Sequence, residues 1–148
     1  MCGITGFIHF SNEQQATDAD QPLLAQMNQA QFHRGPDEGG EYLDENVALG
    51  HRRLSIIDTS SAGHQPMLGG EGQVVLVFNG EIYNYQSLRQ ELEEQGYCFT
   101  GGSDTEVLLN GYLAYGEDVL DRLNGIFAFA IWDQRNESLF VARDHLGV

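Results

Sequence analysis

The sequence predicts an α+β domain in which strands at both ends of the chain enclose a central group of helices. Three observations carry that expectation. Residues 3–10 form an apolar run of strand length near the start of the chain. Residues 85–116 hold two consecutive helical patterns, the second opened by Ser103-Asp104-Thr105-Glu106, which has the Ser-x-x-Glu spacing of a capping box. Near the end, the continuously apolar run 126–132 is joined to Leu139-Phe140-Val141-Ala142 through the polar turn Asp133-Gln134-Arg135-Asn136. At 148 residues, 41% of them hydrophobic, the chain is one domain's worth and long enough to bury a core.

Taken in order, residues 3–10 are apolar on both faces, which predicts a buried strand, and 11–21 are a polar loop. Pro22 suits the first turn of a helix whose inward face should hold Leu23, Met27 and Ala30. That helix should stop at the turn Arg34-Gly35-Pro36-Asp37. Residues 41–43 and 47–49 flank Asp44-Glu45-Asn46 as a hairpin, 50–58 form another strand or strand edge, and the Gly- and Ser-rich 59–73 should be loop. Val74-Val75-Leu76-Val77-Phe78 reads as a strand with the polar cluster Asn79-Gly80-Glu81 at its end. A helix over 85–95 should turn Leu88 and Leu92 inward and stop at Gly96, a second should end near Gly116, and 117–123 should form a short third. The hairpin at 126–142 should join the interior of a sheet. With no strand after it, its neighbour would keep unpaired backbone groups and exposed apolar side chains, so the 148-residue piece is expected to be poorly soluble or partly unfolded.

Composition excludes several classes. The formal net charge is −15, and all seven basic residues are arginine, which speaks against nucleic-acid and anionic-membrane partners. Arginines in so acidic a chain are candidates for bidentate contacts to a substrate carboxylate or for pairing with surface acids. Two cysteines, Cys2 and Cys98, make no disulfide framework. No stretch has the length of a membrane span, and no basic, apolar leader opens the chain, so a cytoplasmic location is expected. The acceptor pattern Asn136-Glu137-Ser138 then carries no meaning. The five histidines, His9, His33, His51, His64 and His145, lie at no ligand spacing, so no metal is expected.

The chemistry starts at Met1-Cys2-Gly3-Ile4. Cysteine is small enough for the initiator methionine to be removed, leaving a thiol and a free α-amine on one residue. A free thiol titrates near about 8.5 and an α-amine at about 7.7–8.0, so the amine can take the thiol's proton. Nucleophile and base would then belong to one residue, the logic of an N-terminal threonine. Asn79-Gly80, at the end of a buried strand, could offer an amide side chain and a backbone N–H to an oxyanion. An isolated Asn-Gly is more often a hairpin turn, but Glu81-Ile82-Tyr83-Asn84-Tyr85 is not the continuation such a turn needs. Arg52-Arg53 in an otherwise apolar strand is unusual, since an unpaired buried charge is costly; one could bind a carboxylate while the other serves the structure.

The ordered set Met1-Cys2-Gly3-Ile4, His33-Arg34-Gly35-Pro36-Asp37, Gly50-His51-Arg52-Arg53-Leu54-Ser55-Ile56-Ile57-Asp58, Gln65-Pro66, Asn79-Gly80-Glu81-Ile82-Tyr83-Asn84, Gly102-Ser103-Asp104-Thr105-Glu106 and Ala142-Arg143-Asp144-His145-Leu146-Gly147 resembles a class II glutamine amidotransferase domain over essentially the whole chain. Within that family Leu54-Ser55-Ile56 is similar to the asparagine-synthetase branch; sugar-phosphate and phosphoribosyl amidotransferases carry an aromatic residue just after the arginine. The resemblance implies a four-layer αββα N-terminal-nucleophile hydrolase fold. It implies that Cys2 attacks the side-chain amide of L-glutamine, that Asn79 and the Gly80 N–H form the oxyanion hole, and that Arg53 holds the α-carboxylate. Glu81 and Asp104 would hold the α-ammonium, and Leu54 and Ile56 would complete the glutamine site. The glutaminase half would need no cofactor; ATP and magnesium would serve a C-terminal synthetase domain that receives the ammonia and lies outside these residues. On this resemblance residues 1–148 form an incomplete glutaminase domain, with self-association left open.

Other readings remain at this point. The same glutaminase could feed a different carboxylate acceptor, or act as a hydrolase with no coupled synthetase. A papain-like enzyme would pair Cys2 with His51 or His64, although no local match to that family is present. A non-catalytic binding domain would be favoured by loss of Cys2, Arg53 or Asn79, and all three are in place.

Overall fold

The computed structural model describes residues 2–10, 20–55 and 63–147. In chain order its main elements are β1 (Gly3–Ile8), α1 (Gln21–Ala30), β2 (Glu38–Leu43), β3 (Val47–Arg53), β4 (Met67–Gly69), β5 (Val74–Ile82), α2 (Tyr85–Glu94), α3 (Asp104–Tyr115), β6 (Gly125–Asp133) and β7 (Ser138–Arg143). One antiparallel sheet has the order β1-β3-β2 and the other β4-β5-β6-β7.

Alternation of side chains along the central strands stacks these sheets. Val75 and Val77 of β5, with Ala130 and Trp132 of β6, meet Val47 and Leu49 of β3 in a core between the sheets. Their neighbours Val74, Leu76, Phe78, Phe127, Phe129 and Ile131 point the other way, onto Leu108, Leu109 and Tyr112 of α3. The α2 residues Leu88 and Leu92 close over Val107, and α1 lies on the outer face of the three-stranded sheet. The layers therefore run αββα, as the resemblance implies.

Several expectations change. β1 is an edge strand in which only Gly3 is buried, because β3 covers one side of it alone. The inward face of α1 is Leu24 and Asn28, while Leu23 is half exposed. The reason is polar: Asn28 Nδ2 donates to Gly40 O at 3.1 Å and so turns the helix onto β2. β3 runs unbroken to Arg53, and the expected strand over 56–58 lies outside the described residues. β4 forms inside the stretch read as loop, and β5 extends through Asn79-Gly80-Glu81 to Ile82, because β6 pairs with it along its whole length. β6 is interior as expected, with β7 beside it at the edge and Val141 of β7 exposed. The capping box is half realised: Ser103 Oγ accepts from Glu106 N at 3.2 Å. The Glu106 carboxylate instead accepts from the Thr100 and Gly101 N–H groups at 2.7 and 2.8 Å, bracing the loop before the helix.

Asp44, in the β2–β3 turn, latches the two sheets. Its Oδ1 accepts from Asn46 N and Val47 N at 2.9 and 3.1 Å, and its Oδ2 from Trp132 Nε1 and Gln134 Nε2 at 2.7 and 3.1 Å. Burial works against the charge, but these hydrogen bonds together hold the carboxyl below the ordinary range. Burial and the Asp44 charge push the neighbouring Tyr42 phenol up to about 12. A depressed carboxyl contributes stability above its unfolded pKa of about 3.9 and loses it as pH falls through the folded value. Asp44→Ala should therefore lower the unfolding free energy by about 1–3 kcal/mol at neutral pH, read from urea denaturation. That deficit should begin to shrink below about pH 4, where the unfolded chain's carboxyl takes up its proton, and should fade as pH drops through the lower folded value. Equal midpoints at neutral pH would dismiss the latch.

Candidate active site

Cys2 stands just before β1, half-buried. Its Sγ accepts the Leu54 N–H at 3.4 Å and lies 3.8 Å from Leu54 O. Its carbonyl accepts from Arg34 Nε at 2.9 Å. The turn carrying Arg34 lies flat against the end of β3: a Cβ on Gly35 would stand 2.3 Å from the Arg52 carbonyl carbon, so only glycine fits. Asp37 closes the arrangement, donating its N–H to Arg53 O at 3.1 Å and accepting from Ser55 N at 2.9 Å. The Arg34-Gly35-Pro36-Asp37 turn thus ties the nucleophile candidate to the segment that follows β3.

Alternation in β3 separates its two arginines. Arg53 shares the inward face with Val47, Leu49 and His51 and is 7% exposed. Its Nη1 donates to Glu38 Oε2 at 3.0 Å, and Glu38 Oε1 meets His64 Nδ1 at 2.7 Å. Arg52 faces outward, its guanidinium 4.8 Å from the centre of the Phe32 ring.

The β5 edge beyond β4 carries the candidate donors, Asn79 and Gly80. The β4–β5 ladder ends at Met67 opposite Leu76, so the next residues of matching orientation, Phe78, Gly80 and Ile82, present their backbone groups to an open edge. Phe78 N–H is taken by Gln65 Oε1 at 2.7 Å and Ile82 N–H by Asp104 Oδ2 at 3.0 Å. Between them lies the N–H of Gly80. Opposite it in β6, Phe127 turns its own N–H and C=O away, to Asp144 at 3.0 and 2.8 Å. Gly80 sits at φ +155°, and a Cβ there would stand 2.2 Å from Ile126 O, so glycine is required. Beside it, Asn79 has a buried side-chain oxygen with no partner. A polar atom of a bound molecule would relieve that cost, and a half-turn of the amide presents Nδ2 in place of Oδ1.

These residues converge. Cys2, Arg53, Leu54, Asn79, Gly80, Glu81 and Asp104 line one cavity of about 140 Å³. Ile56, the remaining predicted site residue, lies outside the described residues. Burial pushes the Asp104 carboxyl above its usual range, against the N–H bonds it accepts, and the nearby Glu81 charge pushes the same way. A cation held between these two acids would relieve both effects. Neither histidine of the papain-like reading serves Cys2. His51 is fully buried, its pKa lowered to about 4 by burial, and its Nε2 bonds Phe78 O at 3.0 Å; His64 pairs with Glu38. Gln65, Phe78, Ser103, Thr105 and Ile126 also line the cavity, and the sequence assigns none of them to the substrate site, although Gln65-Pro66 and Gly102-Ser103-Asp104-Thr105-Glu106 belong to the ordered motifs and Ser103 is read as a helix cap.

Residues 1–148 match the glutamine amidotransferase domain family. The chain belongs to that family. It is 48% identical over 149 residues to a glutamine-hydrolysing asparagine synthetase 1 of Bacillus subtilis, covering all of this chain and 23% of that protein. It is 42% identical over 148 residues to asparagine synthetase B of Escherichia coli, again over all of this chain and 26% of the relative. A solved glutamine phosphoribosylpyrophosphate amidotransferase from B. subtilis shares the fold, with a TM-score of 0.58 and 31% identity over 71% of this chain and 24% of that one. This amidotransferase domain thus spans about a quarter of the length of the curated relatives it matches. No helix among its described residues is long and apolar enough to cross a membrane.

Proposed function

We propose that this domain hydrolyses L-glutamine to glutamate and ammonia with Cys2 as nucleophile, and that the ammonia amidates aspartate to asparagine in a synthetase domain of the longer protein. The observation that carries this reading is the meeting, in one cavity, of a terminal thiol, a buried arginine, two acids and two neutral donors. Cys2 Sγ attacks the side-chain amide carbon while its α-amine takes the thiol proton. The oxyanion receives hydrogen bonds from the Asn79 amide and the Gly80 N–H. The α-amine returns the proton to the leaving nitrogen, ammonia departs, and a γ-glutamyl thioester remains; water, deprotonated by the same amine, then cleaves it to glutamate and restores the thiol. Arg53 holds the α-carboxylate, with Glu38 fixing its other side, and Glu81 with Asp104 holds the α-ammonium. The Leu54 N–H steadies the sulfur, and Leu54 and Ile56 flank the substrate. Ionic and hydrogen-bonding groups of the chain suffice for these steps; ATP and magnesium would act in the synthetase domain.

The test is release of glutamate and ammonia by the full chain, with intact-mass spectrometry on the same material. Active protein should lack Met1. Full turnover with Met1 still attached would remove the α-amine from the mechanism, and absence of glutamate at saturating glutamine would remove the function.

A further inference from the structure

Gln65 has no part in the chemistry above, yet it joins the two halves of the cavity. It is 5% exposed, and both ends of its amide are engaged. Oε1 accepts the Phe78 N–H at 2.7 Å, and Nε2 donates to Thr105 Oγ1 at 3.4 Å. Phe78 directly precedes Asn79-Gly80, and Thr105 directly follows Asp104. Continued in register past Met67 and Leu76, β4 would bring Gln65 opposite Phe78. The Gln65 side chain, in place of its backbone, takes the Phe78 N–H at the point where that pairing would fall. His51 Nε2 donates to Phe78 O from the facing sheet at 3.0 Å, so side chains hold both backbone groups of Phe78.

We propose that Gln65 is a positioning residue, whose amide sets the Asn79-Gly80 donors of β5 at a fixed distance from Asp104 at the start of α3. It acts through Phe78 and Thr105. Without it a buried N–H loses its partner and the open edge of β5 is free to shift. A displacement of about 1 Å in such donors costs on the order of 10²-fold in rate. The proposal rests on the glutaminase reading, and its test separates the two.

Gln65→Leu keeps the bulk and removes both bonds; Gln65→Glu keeps the shape and the acceptor for Phe78 N–H. Both are made in the full chain. Gln65→Leu should lower kcat for glutamine by about 10²-fold and raise KM. Alkylation of Cys2 by iodoacetamide needs neither the oxyanion donors nor the α-ammonium site and should keep its wild-type rate. Gln65→Glu should recover most of kcat. Wild-type kcat and KM in the leucine variant overturn the proposal, as does an equal loss of turnover and alkylation, the mark of general loosening. A glutamate variant as slow as the leucine one does the same. Amide exchange over 76–82 is independent of turnover and should quicken in Gln65→Leu. Unaltered protection there overturns the proposal even if the wild type proves inactive on glutamine, a result that would otherwise count against the function alone.

Discussion

Cys2→Ala is expected to abolish glutamine hydrolysis and leave the fold standing, with a loss of turnover on the order of 10⁵-fold or more, the scale seen when a covalent nucleophile is removed. No second thiol can substitute. Cys98 is exposed and lies between α2 and α3, where its carbonyl accepts from Asn110. The fold should survive because the anchors of this end are backbone groups. The Cys2 carbonyl keeps its bond from Arg34 Nε, and the β1 ladder begins at Gly3. Loss of Sγ costs the weak contacts to the Leu54 N–H and C=O. The thermal midpoint should therefore stay within about 4 °C of wild type. A glutamine-like electrophile should label Cys2 first in the wild type. Turnover near the wild-type rate in Cys2→Ala, or preferential labelling of Cys98, would remove the N-terminal thiol from the reaction.

Asn79→Ala and Arg53→Lys should fail in different ways, and the difference tests the division of labour in the cavity. In the proposed role Asn79 meets charge that exists only after attack, so its loss should lower kcat by roughly 10²–10³ with little change in KM. In its proposed role Arg53 meets a carboxylate that is present throughout the reaction, so its loss should appear mainly as a raised KM. Lysine is a poor substitute because the Arg53 guanidinium already spends Nη1 on Glu38, and a single ammonium cannot hold both that acid and a substrate carboxylate in planar geometry. Steady-state kinetics on purified variants reads both. The same kinetic pattern from the two substitutions would show that the roles are wrongly assigned.

The residue pattern alone determined the segments whose reasons are local, and it carried the family resemblance. The spacing of Leu88 and Leu92 and the Ser103 cap each act within a few residues, so α2 and the start of α3 were legible. The motif order singled out Cys2, Arg53, Asn79, Gly80, Glu81 and Asp104, although Arg52 and Arg53 could not be told apart by their neighbours in sequence. What only the tertiary structure decided are the choices made by distant partners. Asn79-Gly80 could have been a turn; nine consecutive pairings with β6 make it strand. The three residues of β4 have no strand signature of their own and exist because Val74, Val75 and Leu76 pair with them. α1 buries an asparagine where an amphipathic reading turns Leu23 inward, because Gly40 O waits across the interface. Gln65 looked like a loop residue. Its role depends on Phe78 and Thr105, 13 and 40 residues away, and no local rule weighs a hydrogen bond over such separations.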